Sequence, residues 1–86
     1  MIKNIFKYDT YKINAQWNAE CYYYDSFNSF LRENYNITES TYIKYLRLQE
    51  RYMETNNITY NSSFKTYKIK DQFFRSLKEV NEFLNK

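Results

Sequence analysis

Glycine, proline and histidine are absent from this chain, and cysteine occurs once. At usual frequencies of about 7% and 5%, a chain of 86 residues should hold about six Gly and four Pro. Asn, Tyr, Lys, Ile and Phe, whose codons are A/T-rich, are abundant. Gly and Pro have G/C-rich codons, so the joint absence points to an A/T-rich genome. Each absence also excludes chemistry. Without Gly there is no Gly-rich phosphate loop of the Walker or dinucleotide-binding kind. A turn that needs a positive φ must use Asn or Asp, and residues 34–36 and 56–57 are the places for it. The single Cys21 rules out an intrachain disulfide. With no His beside it, the usual zinc ligand set is missing, and so is the usual base for a nucleophile. No cofactor or metal is expected.

Long apolar runs are missing too. The longest is Cys21–Tyr24, far short of a membrane span. Met1–Lys7 holds no apolar stretch of signal-peptide length. The expectation is a cytoplasmic protein with no membrane partner. The sequons at Asn36, Asn57 and Asn61 are what chance supplies in a chain this rich in Asn, Ser and Thr.

What is present suits one small domain over residues 1–86. Residues 11–24, YKINAQWNAECYYY, fit two periodicities. Every second residue from Tyr11 to Tyr23 is apolar, as in a strand with one buried face. Ile13, Trp17, Cys21 and Tyr24, continued by Phe27, Leu31 and Tyr35, have the spacing of a long amphipathic helix. An internal echo favours the strand. CYYYDSFNSFL (21–31) and DQFFRSLKEVNEFL (71–84) both run from aromatics through a Ser into an amphipathic segment ending in Phe-Leu. If the second aromatic run is a strand, the first should be one also. Under either periodicity Ile13 and Trp17 share the apolar face, so both are expected in the core.

The remaining elements are more sharply marked. Asp25 or Ser26 caps a helix to about residue 35 that buries Phe27, Phe30 and Leu31. Residues 40–54 form a helix whose buried face is Tyr42, Tyr45, Leu46, Gln49, Tyr52 and Met53. Residues 58–70 are polar and β-prone, with a hairpin turn or bulge at 61–63. Ser76 and Glu79 have capping-box spacing at the start of a helix over 76–85, with Leu77, Val80, Phe83 and Leu84 inward. A short first strand over 2–8 turns at Asp9-Thr10. The resulting order is β-β-α-α-β(-β)-α, an α+β fold of antiparallel strands with about three helices.

Composition favours binding over catalysis. Glu50 and Glu54 lie one turn apart, but Arg47 and Arg51 interleave with them, which is the pattern of a solvated helix face. No enzymatic activity is expected. The net charge of +3 is uneven. Residues 1–43 carry four basic and five acidic groups, and residues 44–86 carry nine basic and five acidic. Lys44, Arg47 and Arg51 fall on one helical face, and Lys65, Lys68 and Lys70 are interleaved with Phe64, Tyr67, Phe73 and Phe74. Cations track phosphates and aromatics stack on unpaired bases, so RNA or single-stranded DNA is one candidate partner.

The aromatic excess is more informative. Phe, Tyr and Trp make up 22% of the chain, and 11 residues are Tyr. A core this small cannot find partners for 11 phenolic hydroxyls, so several tyrosines must lie at the surface. There they make good interface residues, large and fairly rigid with one hydrogen bond to offer. On the strand reading Tyr22 and Tyr24 point away from the buried face.

In length, composition and style this short, Gly-free, Asn/Tyr/Lys-rich chain resembles the small accessory proteins of phages and mobile elements of low-GC bacteria. Anti-CRISPR inhibitors of host defence belong to that group. The resemblance implies a non-catalytic protein that occludes a surface of a larger host protein or ribonucleoprotein. It carries no motif from which a functional residue can be transferred. A homodimer is left open.

Overall fold

Helix starts are written locally in this chain. In the computed structural model, which describes residues 4–86, Asp9, Ser26, Thr38 and Ser76 each accept a hydrogen bond from the backbone N–H three residues on. Such a cap satisfies one orphan donor of the first turn and is worth about 1 kcal/mol. The four caps open α1 (Thr10–Glu20), α2 (Phe27–Tyr35), α3 (Glu39–Asn56) and α4 (Leu77–Leu84). At Ser76 the box is shifted by one residue, because the Glu79 carboxylate accepts from the N–H of Arg75. The far ends of α2 and α3 are closed by Asn36 and Asn57 in the left-handed region, the residues and conformation expected where glycine is lacking.

Three short antiparallel strands lie between α3 and α4: β1 (Thr59–Asn61), β2 (Thr66–Ile69) and β3 (Gln72–Phe74). The register aligns Tyr60, Tyr67 and Phe74 in one row on the inner face. Tyr67 is completely buried there with Met53, Ile58, Ile69, Leu77 and Val80, and α4 packs against β2 and β3. A second core lies among the helices, around Ile13, Phe30, Leu31, Ile37 and Tyr42. The protein is a small α+β domain with antiparallel strands, as its pattern indicates, and the order follows the expected outline from Ser26 onward. Among the described residues no helix is long and apolar enough to cross a membrane.

Two expectations are corrected. Residues 11–24 are not a strand: they form α1 and a single 3₁₀ turn, Cys21–Tyr23, after which Tyr24 is extended. The continuous helix to residue 35 is not formed either, because Tyr24 breaks it and Ser26 starts α2 afresh. The alternation has a tertiary cause. α1 lies between the two cores, so Tyr11 packs on Tyr60 and Tyr67 of the sheet while Ile13 and Trp17 join the helical core. Apolar residues on two sides of one helix read as a period of two. Trp17 itself is half-buried against Phe27 and Phe30, and Ile13 is buried. The second correction concerns the short strand over 2–8. Residues 4–8 form turns and bends, the rest of that segment lies outside the described residues, and Asp9 begins a helix.

A polar lock joins the start of α1 to the middle of α3. Gln49 and Thr10 are both completely buried. The Gln49 Oε1 accepts from the Thr10 N–H (3.2 Å) and the Thr10 hydroxyl (2.7 Å), and its Nε2 donates to the carbonyls of Ile5 and Tyr8 (2.5 Å each). The Tyr42 hydroxyl donates to the Thr10 carbonyl (3.2 Å). Every donor and acceptor of the amide is used, which is what makes its burial tolerable.

Several tyrosines report the same cores through their acidity. Burial raises the pKa of Tyr67, and its hydroxyl donates to Asp9 Oδ1 at 2.5 Å, which raises it further. Burial also raises Tyr11, Tyr35, Tyr42, Tyr52 and Tyr60. The folded pKa values therefore exceed the unfolded value of about 10. Their contribution to stability is complete below that pH and is lost as pH rises through and above it. Urea unfolding from neutral pH upward should show stability falling beyond about pH 10, with phenolate absorbance rising together with unfolding. Simple titration of these six tyrosines in an intact fold would contradict it.

Candidate interaction surface

The 3₁₀ turn decides which tyrosines reach solvent. Its three residues per turn set successive side chains about 120° apart, so three consecutive tyrosines cannot share one side. Tyr22 and Tyr23 project, 90% and 81% exposed. Tyr24 turns inward: its ring meets Phe30 edge to face at 5.2 Å, and its hydroxyl accepts from Asn34 Nδ2 at 3.1 Å. The expected pair Tyr22 and Tyr24 is thus not brought together. Tyr23, which the strand reading buried, stands beside Tyr22 instead. Glu20 and Asp25 flank this aromatic knob.

The basic candidates form two groups on separate elements. Lys44, Arg47 and Arg51 are exposed along one face of α3. Lys65, Lys68 and Lys70 are exposed around β2. Lys65 and Lys70 both have a positive φ of 55°, one at the end of the β1–β2 connection and one in the β2–β3 turn. The Asn61 side chain braces the first connection by accepting from the N–H groups of Ser63 and Phe64. Lys68 lies on the outer face of the sheet, between Thr59 and Phe73 in register, with its ammonium 5.7 Å from the Phe73 ring centre.

Of the four aromatics that the sequence sets among these lysines, Phe73 (61%) and Phe64 (77%) are exposed, while Tyr67 is buried and Phe74 half-buried. The Phe73-Phe74 pair signals a strand, but only the β2–β3 register shows that Phe74 goes inward and Phe73 outward. Glu50 and Glu54 border an open cleft of about 540 Å³ floored by Met53 and Ile58, with Tyr11 and Tyr60 on its wall. Glu50 and Asp9 add to burial in raising the Tyr11 pKa. Among the described residues no three His, Cys, Asp or Glu side chains converge in a way that could hold a metal ion. No family model, curated protein sequence or solved structure matches this chain.

Proposed function

We propose that this is a non-catalytic binding protein that occludes a surface of a larger protein or ribonucleoprotein in the bacterial cytoplasm, in the manner of small phage inhibitors of host defence. The observation that carries the reading is the exposure of both Tyr22 and Tyr23 on a turn anchored from behind by Tyr24. Two large apolar rings held in water on a braced turn suit them to serve as anchors that fill pockets on a partner. The turn that carries them is already folded, so little backbone entropy is lost on binding. Lys44, Arg47 and Arg51, exposed on α3, would steer encounter, because exposed charges act on association rate more than on the lifetime of a complex.

The test is capture of a partner from host lysate, with and without nuclease treatment, followed by kinetics on the purified pair. Tyr22→Ala and Tyr23→Ala should each raise the dissociation rate about fivefold or more, since an anchor is worth over about 1 kcal/mol. Their melting temperatures should stay near that of the parent, because neither ring is packed. Unchanged dissociation in both variants, or recovery of nucleic acid with no protein, would sink this reading.

A further inference from the structure

We infer that the outer face of the three-stranded sheet is a platform for a single-stranded polynucleotide, a second surface that does not depend on the protein partner proposed above. The sheet is two-faced. Tyr60, Tyr67 and Phe74 look inward, while Thr59, Lys68 and Phe73 form the matching row outside. That outer row is exposed at all three positions. A phenylalanine exposed in the middle of a strand adds nothing to the buried cores and offers ring surface to a ligand.

Charge and spacing name the ligand. Lys65 directly precedes β2, Lys68 lies within it and Lys70 directly follows it. The four residues of β2 span about 13 Å at about 3.3 Å each, so Lys65 and Lys70 mark the two ends of the strand and Lys68, between them, lies beside Phe73. Over residues 59–75 the basic groups are Lys65, Lys68, Lys70 and Arg75 against Asp71 alone, a net +3 by subtraction, and no strand residue is acidic. Cations in a row follow a phosphate backbone, and an adjacent aromatic stacks on a base. Lys68 already stands over Phe73, so a phosphate held by the ammonium would have its base beside that ring. A duplex hides the faces of its bases, so it could use the lysines but not the phenylalanine.

The experiment uses the full chain and fluorescent oligouridine and oligothymidine of about 12 nucleotides, followed by anisotropy across a salt series. The RNA and DNA arms identify the natural source of the strand. Phe73→Ala should weaken binding at least about fivefold, and Phe73→Trp should retain it. Combining Lys65→Asn, Lys68→Gln and Lys70→Asn should flatten the log-affinity against log-salt slope by about two, at about 0.7 per phosphate contact. Asn is chosen at 65 and 70 because it tolerates the positive φ. The Tyr22→Ala, Tyr23→Ala chain should bind the strands as the parent does, which separates this surface from the protein-binding one. Three results would overturn the inference: indifference of affinity to Phe73→Ala, duplex DNA bound as tightly as the single strands, or polyglutamate bound as tightly as either.

Discussion

Gln49→Leu is expected to lose about 3–5 kcal/mol of stability, a large part of what a domain of 86 residues possesses. Leucine fills nearly the same volume, so the loss is not a cavity effect. It strands the partners of the amide. The Thr10 N–H and hydroxyl lose their acceptor in a fully buried site, and the carbonyls of Ile5 and Tyr8 lose their donors. Each buried polar group left unpaired costs about 1–3 kcal/mol. Urea unfolding followed by circular dichroism measures the change. Gln49→Glu separates shape from hydrogen bonding: as a carboxylate it keeps the acceptor and loses the donors, so it should remain destabilised at neutral pH. A Gln49→Leu midpoint equal to that of the parent would show that the lock is dispensable.

Phe30→Ala should be of similar size, about 3–5 kcal/mol, through a different mechanism. Phe30 is completely buried, and its ring contacts those of Trp17, Tyr24, Phe27 and Tyr35 at centroid distances between 5.2 and 6.1 Å. Removing it opens a cavity between α1 and α2 that four large rings cannot close together. Trp17 is the single tryptophan, so its fluorescence reads this core directly. Emission should shift to the red in the variant even under conditions where it stays folded, as water reaches the indole. Because Tyr24 rests on Phe30, the same change should loosen the turn that displays Tyr22 and Tyr23 and weaken partner binding. Phe30→Leu, which keeps most of the volume, should recover much of the stability. Parent-like stability and emission in Phe30→Ala would remove Phe30 from the centre of the core.

Where a residue's state depends on neighbours a few positions away, the chain declares it openly. The Ser26 and Ser76 caps, the left-handed Asn36 and Asn57, and the buried face of α3 through Tyr42, Tyr45, Gln49 and Met53 are all readable from spacing and side-chain chemistry. A cap bonds within three residues, and a helical face follows from a period of 3.6, so neither needs the rest of the fold. The internal echo is correct about these local features, a Ser followed by a helix. It misleads about the segment before the first Ser, because pairing into a sheet requires a partner strand and, among the described residues, none pairs with residues 11–24.

Long-range packing settles the rest. α1 has apolar residues toward two cores, and no one-dimensional pattern separates that arrangement from a strand with one buried face. Tyr23 and Tyr24 exchange their expected places because a 3₁₀ turn, and not a strand, carries them to the surface. Lys65 and Lys70 take positive φ values that a Gly-free chain was expected to give only to Asn or Asp. The closing of the two hairpins imposes those values, and the pairing of β1, β2 and β3 offsets their strain. Phe73 and Phe74 are adjacent and chemically identical, and register alone sends one into the core and the other to the solvent face. The surfaces offered to partners therefore depend on which side of an element faces the core, a choice made by contacts between residues far apart in the chain.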